Sequence, residues 1–398
     1  TGFALVDGGA YVGHGSELLL LKDTDDDGRA DSREVIFTGF GTGDTHQNIN
    51  SLTWSPGGEL LFCQGLHTFS RVETPWGIER LEEHGVWRLR PQRRQLHAFY
   101  GGCGANPWGI AFGNWGQPFI KGNGPAVAEA LAGMVHTGRW QKAMTIGHTQ
   151  VRGMMIAFAD SPHLPEDIRE DLVIAGYYGR LVHRMGVVPD GSGHRGITKP
   201  PLLTSSHNGF RPVDICLGPD GAIYVADWYN PIIGHYQASL RHPNRDKTHG
   251  RIWRITAKDR PLDTPPALAE MDAAQLCKQL QSKVLWVRQQ AKWRLMQLPA
   301  DEVIKALNTW LAGLDTSNPD YEHYLYEAIG LFEAHEIVNQ PLLERLLKSK
   351  DHRARAYAMR VAGRWHDRLE SPLEYLKRGV EDKHPRVQLE AIVACSEV

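Results

Sequence analysis

Cysteine is scarce and scattered in this sequence: five in 398 residues, at positions 63, 103, 216, 277 and 395, and never as a Cys-x-x-Cys pair. That usage excludes a disulfide framework, a zinc-ribbon site and covalent haem attachment within this stretch, and it leaves the compartment undetermined. An excess of charge of one sign is lacking too. With 44 basic and 46 acidic residues the net charge is −2, so no overall field favours nucleic acid or an anionic membrane. No uninterrupted apolar run approaches the ~18 residues that cross a bilayer. A serine nucleophile elbow, a phosphate loop and a His-Glu-x-x-His zinc helix are all missing. There is no signal peptide and no initiator methionine. The chain opens on the strand-like Thr1-Gly-Phe-Ala-Leu-Val6, which predicts a fragment cut inside a domain.

Glycine-closed turns are abundant, and they repeat. Strand, turn and strand recur as Phe3-Ala-Leu-Val-Asp-Gly-Gly9, Leu52-Thr-Trp-Ser-Pro-Gly-Gly58, Ile110-Ala-Phe-Gly-Asn-Trp-Gly116 and Ile215-Cys-Leu-Gly-Pro-Asp-Gly221. The closing glycines are 49, 58 and 105 residues apart. The last gap is two periods, and Asp171–Gly176 with Leu181–Arg184 supplies strands for the missing unit. A multi-stranded repeat of about 50 residues is the signature of β-propeller blades. Five blades are visible, and the abrupt start predicts the loss of the rest of a sixth. Composition changes near residue 260. After the proline-rich stretch Lys258–Pro266, Val287–Ala291, Ala354–Ala358 and Val387–Ala391 repeat one motif at spacings of 67 and 33, with a weaker copy at Glu322–Ala328. Helix pairs repeating every ~33 residues, with a small residue at each crossing, predict a HEAT-like solenoid. Its end without a polar cap again predicts truncation.

Between the first two predicted blades lies Asp23-Thr-Asp25-Asp-Asp27-Gly28-Arg29-Ala-Asp31-Ser-Arg-Glu34. Oxygen ligands at positions 1, 3, 5 and 9, a backbone carbonyl at 7 (Arg29), a glycine bend at 6 and a glutamate at 12 make the calcium-loop pattern. Its strand-like flanks predict a calcium-tied β-hairpin on the rim rather than an EF-hand.

Polar loops precede the blade strands. Gly43-Asp44-Thr45-His46-Gln47-Asn48-Ile49-Asn50 places a carboxylate, an imidazole and three amides directly before a strand, where ligand and catalytic groups tend to sit. Asp44 stands near enough to His46 to fix its tautomer and raise its basicity. The plainer alternative is a polar turn bonding its own backbone. Asn106 and Arg211 precede equivalent strands, so they are expected to meet His46 around one end of the central channel. His148–Arg152 and the stretch from Asp227 to Arg251, which includes Lys247, add further polar loops.

These residues carry a resemblance. Asp44-Thr-His46-Gln47 with the following strand, Asn106-Pro107-Trp-Gly-Ile-Ala-Phe112, and Arg211-Pro-Val-Asp214 with Gly218-Pro-Asp-Gly221 resemble motifs of soluble quinoprotein glucose and sorbosone dehydrogenases. Gly39–His46, Gly65–Gly77 and Ala226–Gln237 resemble, over nearly the whole chain, the membrane-bound dehydrogenase family of Planctomycetes and Verrucomicrobia, which joins a propeller, HEAT repeats and a cytochrome c domain. The resemblance implies pyrroloquinoline quinone (PQQ) as cofactor, a sugar or related alcohol as substrate, a cytochrome c domain as electron acceptor and a periplasmic, secreted or membrane-associated setting. It implies His46 as base, Asp44 as its orienting carboxylate, and Gln47, Asn106 and Arg211 beside the cofactor. Two of the family's cations have no counterpart: Ala105 replaces an arginine, and the cofactor lysine is missing near Tyr177–Arg180. His148, Arg152 and Lys247 are the replacements at hand. The expectation is therefore a truncated six-bladed β-propeller over residues 1–258, a linker over 259–270 and a HEAT-like solenoid over 271–398. The competing reading is a non-catalytic carbohydrate- or protein-binding propeller on a HEAT scaffold.

Overall fold

Short strands closed by tight turns build the first part of the chain, and helices build the rest. The computed structural model describes residues 2–43, 47–102, 104, 106–122, 124–132, 144–150, 152–233 and 242–398. Blade 1 is the antiparallel sheet β1 (Phe3–Val6), β2 (Gly9–His14), β3 (Glu17–Lys22) and β4 (Ser32–Thr38). Blade 2 begins with β5 (Asn50–Trp54) and β6 (Leu60–Gln64). A side hairpin follows, β7 (Phe69–Thr74) with β8 (Gly77–Glu82), and β9 (Gly85–Arg90) and β10 (Gln95–Gly101) complete the blade. Blade 3 holds β11 (Pro107–Phe112), β12 (Pro118–Gly122), β13 (Ala126–Glu129) and β14 (Thr145–His148). Blade 4 holds β15 (Ile156–Ala159), β16 (Asp171–Gly176), β17 (Leu181–Asp190) and β18 (Gly193–Thr204). Blade 5 has three strands, β19 (Pro212–Leu217), β20 (Ile223–Asp227) and β21 (Arg251–Ile255).

The described residues thus form a propeller of five blades and not the expected six. One further expectation is corrected: the acidic loop lies within blade 1, between β3 and β4, rather than between blades. In blade 4 the anticipated strands are present, as the second and third of the sheet. The first is β15, and the segment between it and β16 runs from Asp160 to Glu170 without a glycine, which hides the unit from a search for glycine turns.

Apolar side chains on the strands bury themselves between blades. All of β6 and β9 is buried, and Phe40 meets Phe62 and Trp87 edge-on with centroids 5.8 and 5.5 Å away. Each such side chain contributes about 1.5–3 kcal/mol by leaving water.

Eight helices follow among the described residues: α1 (Ala273–Gln279), α2 (Leu285–Leu295), α3 (Ala300–Ala312), α4 (Tyr321–Ala334), α5 (Gln340–Leu347), α6 (His352–Arg364), α7 (Pro372–Val380) and α8 (Pro385–Ala394). Local chemistry starts them. Asp272 and Gln275 form a capping box on α1, Asn339 and Asp351 cap α5 and α6, and prolines open α7 and α8. The four copies of the repeated motif fall on α2, α4, α6 and α8, and Ala291, Ala358 and Ala391 are fully buried. No helix among the described residues is long and apolar enough to cross a membrane.

The helices cover one end of the propeller. Gly58 takes a left-handed turn (φ +77°) after β5, where a Cβ would lie 2.5 Å from that of Ala334. Arg360 donates to the carbonyl of Gly116 in the turn after β11, and Leu285 N donates to the carbonyl of Asp160 after β15. Buried ion pairs join the two parts: Arg364–Glu59 at 2.5 Å, Arg90–Glu336 at 2.6 Å and Arg386–Glu129 at 2.5 Å.

Candidate functional site at the channel mouth

In every blade the first strand in sequence is an edge strand of its sheet, and β1, β5, β11, β15 and β19 pack side by side around the channel. The turns after β5, β11 and β15 face the helices, so the segments that lead into the first strands open at the opposite end. Gln47, Asn106, Arg152 and Arg211 lie on those segments. Asp44 and His46 lie outside the described residues.

Gln47 is fully buried, and among the described residues neither atom of its side-chain amide has a hydrogen-bond partner. Its backbone carbonyl accepts from Gly65 N at 2.8 Å, which fixes the segment on blade 2. The buried Oδ1 of Asn48 likewise has no partner among the described residues. Asn106 is half-buried directly ahead of β11.

Arg211 is buried. Its Nε donates to the carbonyl of Asn230 at 3.2 Å and its Nη1 to that of Phe210 at 3.3 Å, with the carbonyl of Tyr177 at 3.5 Å. Burial pushes the Arg211 pKa down, and Arg180 adds to that effect while Tyr177 opposes it. Asp227 anchors this corner. One oxygen accepts Arg211 N at 2.7 Å and Tyr229 N at 2.9 Å, and the other accepts Arg251 Nε at 2.8 Å and Trp253 Nε1 at 3.0 Å. Burial alone would raise the Asp227 pKa, but these donors hold it below the usual carboxylate value.

Cations and aromatic rings line the blade 4–5 side. Arg152 lies 5.7 Å over Tyr178, Arg245 lies 5.7 Å over Trp228, and Tyr177 stacks on Trp228 at 6.1 Å. Lys247 is exposed in the segment before β21. His148 is apart from this group: it ends β14, the outermost strand of blade 3, is exposed, and accepts Thr198 Oγ1 through its carbonyl at 2.9 Å.

Sequence reading missed Lys121. At the upper end of β12 it is fully buried, and Nζ donates to the carbonyls of Gly122 (2.8 Å) and Gly124. Burial brings its pKa down to about 7. Nearby, burial and then the Lys121 charge lower the His183 pKa to about 4, and among the described residues His183 Nε2 has no hydrogen-bond partner. The signal was a lone lysine in the apolar strand Pro118-Phe-Ile-Lys-Gly122. Asp227 and Tyr177 were within quoted stretches but had no assigned role, because the hydrogen bonds of Asp227 between strands of blade 5 and of the Tyr177 carbonyl to Arg211 of the next blade are invisible to spacing.

On the rim, Asp23, Asp25 and Asp27 each bring a carboxylate oxygen within 4.8 Å of the others. Asp23 meanwhile accepts the amides of Asp27 (3.2 Å) and Gly28 (2.8 Å), and Asp27 accepts the amide of Arg29 at 2.8 Å. Asp31 is turned to Thr24, accepting its amide at 3.0 Å and its hydroxyl at 2.6 Å. Glu34 pairs with Arg94 of blade 2. The first three acids therefore converge, while Asp31 and Glu34 face other partners.

Solved structures similar to this chain include a glucose dehydrogenase (17% identical, covering 64% of this chain and 81% of that one, TM-score 0.43). A luciferin-regenerating enzyme is 11% identical, covering 66% and 79%, with a TM-score of 0.42. The soluble aldose sugar dehydrogenase of Escherichia coli in its apo form is 18% identical, covering 56% and 73%, with a TM-score of 0.40. Likeness at this level carries no argument about chemistry. No curated protein matches. A family match over residues 1–145 and 125–259 takes in every blade, and the chain accordingly belongs to the family described as Domain of unknown function (DUF7133).

Proposed function

We propose that the channel mouth is the active site of a quinoprotein-like dehydrogenase that oxidises a sugar or related alcohol. The observation that carries this reading is Gln47. A buried amide with neither its N–H₂ nor its C=O satisfied costs about 1–3 kcal/mol per group, and such unspent bonding beside the Asp44–His46 motif suits a polar ligand at that point. The surrounding groups fit PQQ, a flat polyanion: Arg211 and Arg152 are cations, Asn106 is a donor, and Tyr177 with Trp228 offers aromatic faces. When bound, PQQ supplies the acceptor for the hydride that leaves the substrate's carbinol carbon. The residues do the rest. A ring nitrogen of His46 takes the hydroxyl proton, so the ring must be neutral at working pH. Asp44 is assigned as the carboxylate that orients the ring and fixes its tautomer. Gln47, Asn106 and Arg211 hold the cofactor's oxygens, and Arg152 and Lys247 add positive charge, with His148 more distant on blade 3.

In this reading calcium is held on the rim by Asp23, Asp25 and Asp27, with Asp31, Glu34 and the Arg29 carbonyl closing on it after a local rearrangement. The helices act as a HEAT-like scaffold over 271–398, joined by 259–270 to the propeller over 1–258. Electrons pass to a cytochrome c domain, in a periplasmic, secreted or membrane-associated protein of the Planctomycetes and Verrucomicrobia type. The test is reduction of an artificial dye by protein incubated with PQQ, calcium and an aldose. His46→Ala is expected to abolish turnover while cofactor binding persists. Equal rates in wild type and His46→Ala would refute the assignment.

A further inference from the structure

A cavity lies at the other end of the propeller, under the helices. It has a volume of about 190 Å³, opens to solvent on one side, and is lined by the turn after β11, blade 4 with the tip of its β17–β18 hairpin, and the first turns of α6 and α8. A void of ~150 Å³ already admits benzene, so this one has room for a single six-membered ring.

Its lining combines two chemistries. Trp115, Phe119, Phe158 and Tyr357 supply aromatic faces, Phe119 and Phe158 meeting edge-on at 5.5 Å. Asp160 and Glu170 supply carboxylates. Among the described residues Glu170 makes no side-chain hydrogen bond or ion pair, whereas Asp160 is ion-paired with Arg288 at 3.6 Å. By contrast the cavity's buried arginines are spent: Arg386 is paired with Glu129 and Glu390, and Arg360 with Glu390 and the Gly116 carbonyl. Arg353 is exposed at the opening, with its guanidinium 4.8 Å over Trp115. It offsets the charge of Glu170, which is also exposed there.

A free acceptor beside aromatic rings selects the occupant. A purely aromatic ligand would displace water from Glu170 without supplying a donor in its place, an unfavourable desolvation. An anion would be repelled by the same carboxylates. A neutral ring bearing several hydroxyls meets both requirements, its C–H face on the aromatic wall and its hydroxyls donating to Asp160 and Glu170. We propose that this interdomain cavity binds a neutral monosaccharide-sized polyol ring, at a site separate from the channel mouth.

Isothermal titration of the full chain with methyl β-glucopyranoside tests this. Saturable binding is expected. Glu170→Gln, at an exposed position, should weaken it by about tenfold through loss of a charge-assisted hydrogen bond. Ala356→Leu, on the buried lining of the cavity, should abolish binding by filling the space. Thermal melts show whether each variant remains folded, and Glu170→Gln decides the matter should Ala356→Leu unfold. No saturable heat with the wild type, unchanged affinity in Glu170→Gln, or tighter binding of glucuronate or glucosamine than of the neutral glycoside would overturn the proposal.

Discussion

Replacing Arg364 by methionine should uncouple the helices from the propeller. Arg364 is 5% exposed and lies between Glu59 of blade 2 (3% exposed) and Glu333 of α4 (2% exposed). It contacts Glu59 at 2.5 Å and also pairs with Glu333, whose other oxygen accepts the Tyr357 hydroxyl at 2.8 Å. Methionine keeps much of the volume but leaves two buried carboxylates facing each other. Removing one member of a buried pair costs about 3–5 kcal/mol, a large share of the ~5–15 kcal/mol of a typical fold. The sign of the pH response follows. Burial already raises the Glu333 pKa above the ordinary 4.5, with Arg364 opposing it. Without Arg364 it rises further, so the folded variant binds more protons than the unfolded chain above pH 4.5, and stability falls as pH rises through that window. Urea denaturation followed by circular dichroism at pH 7 and pH 5 reads both effects. The variant should lose several kcal/mol at pH 7 and recover part at pH 5. A loss within about 0.5 kcal/mol, the range of an ordinary surface change, would refute the role of this contact.

Asp25→Ala should lower the melting temperature in calcium and leave it unchanged in chelator; identical melts of both proteins in both buffers would remove calcium from the rim loop. Ala358→Leu should destabilise by about 1–3 kcal/mol, because the site is fully buried and closely packed, and an unchanged denaturation midpoint would contradict that. Lys121, whose folded pKa is about 7 against an ordinary 10.5, makes the protein lose stability as pH falls from 10.5 towards 7. Lys121→Met should flatten that slope in denaturation series across this range, and a slope that persists would place its source elsewhere.

Local pattern carried much of the fold. The turns at Gly9, Gly58, Gly116 and Gly221 do join the first two strands of their blades, because a tight turn leaves its residue chemistry in the sequence. In blade 4 the second and third strands were legible, but the first, β15, was not, because the segment between β15 and β16 carries no such glycine. The helical repeat was visible through Ala291, Ala358 and Ala391, small residues where neighbours approach closely. The interface was not. Glu59 and Arg364 are an ordinary acid and base separated by 305 residues, and nothing in their spacing announces a buried pair. At the mouth, common strand direction predicts that His46, Asn106 and Arg211 meet at one end of the channel; Asn106 and Arg211 lie on segments that lead into first strands there, and His46 lies outside the described residues. The anchoring of Arg211 by Asp227 and the burial of Lys121 depend on packing between strands, which a linear motif does not encode.

The most direct test of the channel-mouth assignment is a fluorescence titration of the purified chain with PQQ in calcium, run beside Gln47→Leu and Arg211→Ala. The assignment predicts saturable one-to-one binding by the wild type and weaker binding by both variants, with thermal melts confirming that they are folded. No saturable binding by the wild type, or equal affinity in all three proteins, would contradict it.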